Sequence, residues 1–348
     1  MPVERQVELR FHISSRQART HTNLSAVRPD GLGLWVAGDE TATVEYLGLR
    51  DGRYDDQRTF ALADFVDLPA GPTQEADIEG LARADGWLWA IGSHSLKRKR
   101  VRRDHSPEKA RRRLGTVVRE ENRYILVRLP LVGATPVRRD GPRAAAILCG
   151  PGSSLADLMV GDPHLTPFLA VPSKDNGLDV EGIAILDGRV FVGLRGPVLR
   201  GWAMLLEIRP QDHPRHPGRL RLAPIDEEPY RTHLLNLGGL GIRDLCPHRD
   251  GLLILAGPTM ALDGPARVLR WRPTDGPAVE HDPEFVMDLP HGDGCDHPEG
   301  LAVLDDEHLL VVYDSPSAAR LTSEGGVLAD IVKLPESGHP GDPVVMTI

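Results

Sequence analysis

Cysteine, aromatic rings and long apolar stretches are all scarce in this sequence. The three cysteines, Cys149, Cys246 and Cys295, stand far apart with no C-x-x-C pair. So sparse and odd a set argues against a disulfide-built scaffold and fits a reducing compartment. Aromatic residues make up 5% of the chain, which leaves few platforms for stacking nucleic-acid bases. No apolar run approaches the roughly 18–20 residues that span a bilayer. The opening MPVERQVELRFHISS has no cationic leader followed by an apolar stretch. The expectation is a cytoplasmic chain with no membrane association, in which the sequon Asn23-Leu24-Ser25 carries no meaning.

Positive charge is also in deficit, but unevenly. The chain carries −9 overall, yet Lys97 to Arg113 holds ten Lys or Arg against Asp104 and Glu108, which is +8 and leaves −17 for the rest. Segregated charge reports on partners or on a site rather than on fold. A nucleic-acid binder is more often basic throughout, and this arm has no interleaved aromatics.

What is plentiful is glycine and proline, 36 and 30 residues spread along the whole length, so they read as turns. Between them lie short runs of Val, Ile and Leu, the mark of many short strands. These runs repeat. NLSAVRPDGLGLWVAGDE starts at Asn23, DIEGLARADGWLWAIGSH at Asp77 and DVEGIAILDGRVFVGLRG at Asp179. LGIRDLCPHRDGLLILAGP starts at Leu240 and HPEGLAVLDDEHLLVVYDS at His297. Each is a strand, a tight turn and a second strand ending in a small or polar cluster. Further strands follow, as in YILVRLPL and AMLLEIRP.

Repeated four-stranded units predict an all-β fold, a β-propeller of five or six blades. A two-sheet sandwich with coincidental repeats is the alternative. The units span about 23–70, 77–172, 179–237, 240–290 and 297–335 of one domain, 1–348. The second is long enough to hide a sixth blade and carries a basic insertion, 96–122. Ser106, Pro107 and Glu108 there mark the start of a short helix. AAAILCG reads as a strand, SSLADLMV as a helix, and Val7–Phe11 as a strand able to pair with the C-terminal one and close the ring.

Three units open on the same corner, Asp77-Ile78-Glu79-Gly80, Asp179-Val180-Glu181-Gly182 and His297-Pro298-Glu299-Gly300. Gly allows a backbone approach that a Cβ would block. In a propeller these corners open on one channel mouth, where the residues after the second strands return: Asp39 and Glu40, His94 and Ser95, Arg195, Thr259, Asp314 and Ser315. Crowded carboxylates need a cation or protons, and oxygen donors suit Ca2+ or Mg2+. Glu79, Glu181, Glu299, Asp39 and Asp314 are the candidate metal ligands, with Asp293 and Asp296 close by in sequence to Glu299. Equally open is a structural role, each Glu locking the ring through hydrogen bonds to a neighbouring blade. His291, Cys295 and His297 have a spacing that suits a soft ion, but in one unit alone, and read as a loop. His94 is the candidate acid or base. Arg195 with Lys97, Arg98, Lys99 and Arg100 are the candidate anion contacts. There is no G-x-S-x-G elbow, and CGPGSS lacks the Lys of a phosphate-binding loop.

The repeated Glu-Gly-Leu/Ile-Ala corners, with GSHS at Gly92 and GLRGP at Gly193, resemble a bacterial family of unknown function, DUF3616, from about Leu24 to Leu334. That resemblance implies a propeller and no established activity. The corners are more loosely similar to those of esterase-like phytase propellers, which implies calcium and phosphoester hydrolysis, carried here by Glu79, Glu181 and Glu299. Unit four departs from the pattern, with Gly241-Ile242-Arg243-Asp244. The expected function is divalent-metal-dependent hydrolysis of a phosphorylated or other anionic small molecule at the mouth. The alternative is a non-catalytic propeller that binds a ligand or protein partner on that face.

Overall fold

The computed structural model describes residues 3–335 apart from residue 261. Strands dominate, and the helices are short. An eight-stranded sheet joins Leu24–Asp30, Gly33–Gly38, Thr43–Arg50 and Arg53–Ala61 to Arg5–Arg10, Gly326–Lys333, His308–Asp314 and His297–Val303. The join is slight: Leu9 pairs with Tyr54 in a single parallel bridge. Arg5–Arg10 pairs along its whole length, antiparallel, with Gly326–Lys333, so the first and last described strands are knitted into one sheet. Two five-stranded sheets and one four-stranded sheet follow, led by Ile78–Ala84, Asp179–Leu186 and Gly241–His248.

The five leading strands pack side by side in a cycle. Leu24–Asp30 lies against Ile78–Ala84, that against Asp179–Leu186, then Gly241–His248, then His297–Val303, which returns to Leu24–Asp30. The core follows the same cycle. Of five apolar clusters among the described residues, four lie between one sheet and the next and the fifth lies between the two halves of the eight-stranded sheet. Period-two alternation divides every second strand between two clusters. Leu34 and Val36 face one cluster while Trp35 and Ala37 face the next. Leu252, Ile254 and Ala256 face one while Leu253 and Leu255 face the other. Burial on both faces is why these strands read as unbroken apolar runs. The architecture is all-β and propeller-like.

Each leading strand also breaks register with its neighbour at its start, and Asp179–Leu186 does so a second time between Asp179 and Val180. The shift falls between Leu24 and Ala26, Ile78 and Gly80, Val180 and Gly182, Ile242 and Asp244, and Pro298 and Gly300. A bulge leaves one residue unpaired and re-aims its side chain. The re-aimed residues are Ser25, Glu79, Glu181, Arg243 and Glu299. The glycine that follows each Glu meets the next leading strand. A Cβ on Gly182 would lie 3.1 Å from the Leu245 nitrogen and 3.2 Å from the Asp244 carbonyl carbon. Gly80 is as close to the Ile183 nitrogen and Gly300 to the Val27 nitrogen. The Glu-Gly corner is thus a bulged carboxylate plus the gap its neighbour needs. Backbone cannot yield as a side-chain tip does, so Gly182→Ala is expected to cost about 1–3 kcal/mol in denaturant unfolding. Gly276, with nothing within 4 Å of its would-be Cβ, is the control and is expected to change by less than about 0.5 kcal/mol on the same substitution.

The insertion forms a two-stranded ribbon, Lys97–Arg98 with Val117–Val118, carrying the helix Pro107–Leu114. Ser106 caps it, accepting from the Lys109 nitrogen at 3.3 Å. The helix stops at Gly115, and β-branched Val117 and Val118 return to the ribbon instead of prolonging it. Leu155–Leu158 is a second short helix, capped by Ser154. Among the described residues no helix is long and apolar enough to cross a membrane.

Candidate functional site: a carboxylate cluster at the channel mouth

Two segments bring three carboxylates together at the start of the leading strands. Asp77 precedes the second of these strands in a left-handed conformation, φ 50°, which a non-glycine residue adopts only at a cost. Glu79 is thrown out of register by the bulge. Asp39 follows the second strand of the first unit, its nitrogen bonded to the Asn23 carbonyl at 3.3 Å. One carboxylate oxygen from each of these three lies within 4.8 Å of the others. Among the described residues this is the one group of three or more His, Cys, Asp or Glu so gathered.

Their charges are unevenly answered. Arg123 donates to Asp77, and also to Glu75 at 3.2 Å and Glu120 at 2.8 Å. Glu79 has no hydrogen-bond or ion-pair partner among the described residues, and Asp39 keeps a buried Oδ1 without one. Burial is the largest influence on Asp39 and pushes its carboxyl up to about 7, with repulsion from Asp77, Asp314 and Glu40 adding to it and Lys174 opposing. Burial also lifts Glu79 well above the usual carboxyl range, reinforced by Asp77, Glu181, Asp39 and Asp179. Groups in this state hold protons at neutral pH or give them up to a cation.

The opposite side of the ring is neutralised from within. Arg243 occupies the bulge position in unit four and donates to Glu181 at 2.9 Å and pairs with Glu299 at 3.0 Å. Arg195 pairs with Glu181 at 2.6 Å and with Asp179. Burial still raises the Glu299 carboxyl well above its ordinary value, against the pull of Arg243. Below the bulges the channel is crossed by Arg28. Its Nη2 donates to Asp244 Oδ1 and to the Leu245 carbonyl, each at 2.6 Å, and its Nη1 to the Leu301 carbonyl at 2.9 Å. The mouth therefore has a floor.

The sequence-derived candidates fall into distinct places. Asp39 and Glu79 are in the cluster; Asp77, noted beside Glu79 but not chosen as a ligand, joins them. Glu181 and Glu299 share the ring with them but are held by arginines. Asp314 is within electrostatic reach of Asp39 and Glu299 and accepts from Ser315 at 3.1 Å. His94 is 1% exposed. Its Nδ1 lies 2.9 Å from the Gly92 carbonyl, and its ring is edge-on to Tyr124. Burial pushes it down to about 4, and the charges that reach it are Asp157 and Arg119, none of the mouth acids. Arg195 is buried and spent on its two carboxylates. Lys97 is tied to Glu75 at 2.7 Å and Arg98 to Asp175 at 2.7 Å, whereas Lys99 and Arg100 are exposed. His297 is bonded to Asp263 at 3.1 Å, and no His–Cys group gathers around Cys295 among the described residues. Asp296 pairs with Arg320. A cleft of about 200 Å³ between Trp87, Trp89, Ile185 and Val190 lies at the far ends of the leading strands, away from the cluster. Sequence reasoning missed Arg243 and the Arg28–Asp244 pair. The first was signalled by its alignment with the three Glu residues, the second by nothing local.

The family described as "Protein of unknown function (DUF3616)" matches residues 23–330. The chain belongs to that family. A search of the curated proteins finds no match. Among solved structures it is similar to the glutaminyl cyclase of Myxococcus xanthus, at 11% identity and a TM-score of 0.45, covering 96% of this chain and 97% of that one. It is also similar to the PQQ-bound aldose sugar dehydrogenase of Streptomyces coelicolor, at 12% identity and 0.40, covering 96% and 99%. A third is a glucose dehydrogenase-type oxidoreductase described as putative, from Thermus thermophilus, at 15% and 0.40, covering 94% and 99%.

Proposed function

We propose that this member of DUF3616 is a five-bladed propeller that holds a divalent cation at its channel mouth and hydrolyses an anionic small molecule there. The blade count is supported by the cycle of five leading strands, each followed by three antiparallel partners, with Arg5–Arg10 as the outermost strand of the last.

The cation reading is carried by one observation: three carboxylates from two segments distant in sequence converge, and among the described residues Glu79 and the buried Oδ1 of Asp39 lack protein partners. An all-oxygen donor set fits Ca2+ or Mg2+ and not a soft ion. Asp39, Asp77 and Glu79 would hold it. A cation bound there would supply Lewis-acid polarisation of a substrate oxygen or activation of water. The chain's own contribution is positional. The Arg28 floor restricts approach to the mouth side, Arg123 fixes Asp77, and the exposed Lys174, whose charge reaches Asp39, is placed to receive an anion. A non-catalytic propeller with the same cation site is the second reading. It is favoured by the enclosure of His94 and the internal pairing of Arg195, which leave the mouth without the acid, base and anion contacts that the sequence suggests.

Calorimetric titration of the chelator-treated protein with calcium or magnesium tests the site. One ion per chain is expected, with affinity at least about tenfold lower in Asp39→Asn and in Glu79→Gln. Arg243→Gln, on the neutralised side, is expected to leave the affinity within about threefold. No binding of either ion removes the proposal. A panel of phosphate and carboxylate esters, with Glu79→Gln as control, separates the two readings: cation binding without turnover leaves the binding propeller.

A further inference from the structure

The basic insertion is an independent feature. The helix Pro107–Leu114 is built with a capping Ser106 and a first-position Pro107, yet it buries none of its side chains. Its ribbon is stapled to the body at one end through Lys97–Glu75 and Arg98–Asp175. Beyond those staples Lys99, Arg100, Arg102, Arg103, Lys109, Arg111 and Arg112 are all exposed. None of the seven has a carboxylate partner among the described residues, although the rest of the chain carries −17. Helical order is usually secured by packing an apolar face; here nothing is packed. A pre-formed element whose cations are left unpaired in an acidic protein is shaped for a partner outside the chain.

We propose that this arm is a docking surface for an acidic segment of a partner protein. Charge complementarity selects an anionic partner. The residue types then favour a protein over a nucleic acid. Among the described residues of the insertion, Leu114 is 53% and Val117 is 40% exposed, and they offer apolar contact beside the cations. From Leu96 to Asn122 there is no Phe, Tyr or Trp, so no base-stacking platform. Five of those seven cations are Arg, whose forked donors suit carboxylates.

Fluorescence anisotropy with the full-length chain tests this. The probe is a labelled peptide of Glu interspersed with Leu; the comparison is a single-stranded oligonucleotide of equal charge. The peptide is expected to bind the tighter of the two, and to weaken as salt rises from about 50 to 200 mM. Exchanging the seven cations for Ser is expected to lower its affinity at least about tenfold, with an unchanged melting temperature because those side chains touch no carboxylate. Leu114→Ser with Val117→Ser is expected to weaken the peptide about threefold or more and leave the oligonucleotide unaffected. No peptide binding, tighter binding of the oligonucleotide, or indifference to Leu114 and Val117 overturns the proposal. A melting temperature that falls with the cations would make the arm structural and overturn it equally. None of these outcomes depends on the mouth binding a cation.

Discussion

Arg28→Met is expected to destabilise the chain by about 3–5 kcal/mol, because it strands a buried carboxylate. Arg28 is 3% exposed and Asp244 is fully buried. The guanidinium reaches from its own strand to three of the other leading strands, donating to Asp244 through both terminal nitrogens and to the carbonyls of Ile183, Leu245 and Leu301. Asp244 in turn accepts from the Leu301 nitrogen at 2.8 Å. One side chain thus ties together strands that are far apart in sequence. Methionine keeps the length of the stem but removes every donor. Both the charge of Asp244 and three interstrand carbonyls lose their partner, and an orphaned buried acceptor costs more than a hydrogen bond is worth. A fall in melting temperature of roughly 10 °C should accompany this in thermal unfolding. Arg28→Met with Asp244→Leu should recover part of the loss, since an apolar pair of similar volume is often tolerated where a half-pair is not. A single variant within about 1 kcal/mol of the parent would show that water or relaxation supplies the missing donors.

That pair also marks the limit of what can be read along the chain. The repeat was legible because each second strand is buried on both faces, which leaves unbroken runs such as GLLILAG. The Glu-Gly corner was legible because its two residues are adjacent and recur. Its physical meaning, a bulge that aims Glu79 into the channel and a glycine that admits the next strand, depends on neighbours about a hundred residues away in sequence, as Ile183 is from Gly80. Arg28 sits in AVRPDG, where a charge before Pro-Asp-Gly looks like the rim of a turn. Its partner Asp244 is 216 positions on, and no local pattern links them. His94 misled in the other direction. It comes at the end of a second strand, as Asp39 and Asp314 do, but φ 51° turns the backbone and the ring packs edge-on to Tyr124. Position after a strand locates the backbone at the mouth, and side-chain direction is a separate matter. Arg243 shows the same limit at the site: it breaks the Glu-Gly pattern, and by pairing with Glu181 and Glu299 it leaves the open carboxylates on the side of Asp39 and Glu79.

Glu45 sets the second large effect, on the pH dependence of stability. It lies in Thr43–Arg50 at 1% exposure. Thr43 donates to its Oε1 at 2.8 Å, and among the described residues its Oε2 has no partner and no cation is set against it. Burial therefore pushes its carboxyl from 4.5 up to about 7. In the unfolded chain the same group ionises at its ordinary value. Between 4.5 and about 7 the folded state holds a proton that the unfolded state has released, so stability falls as pH rises through that window. Above about 7 both states are ionised and the loss is complete; below 4.5 both are protonated and there is none. A shift of this size corresponds to about 3 kcal/mol. Asp39 and Glu79 are displaced in the same direction, so the parent's total decline includes them, and a bound cation would reduce their share. The difference between Glu45→Gln and the parent isolates Glu45. Gln is neutral at every pH, so the variant is expected to gain on the parent by about 3 kcal/mol between about pH 4.5 and 7.5 in denaturant unfolding, and to run parallel outside that window. A difference that stays flat across it would mean that the Glu45 carboxylate finds a counter-charge or water in the folded protein, and the buried, neutral acid would have to be abandoned.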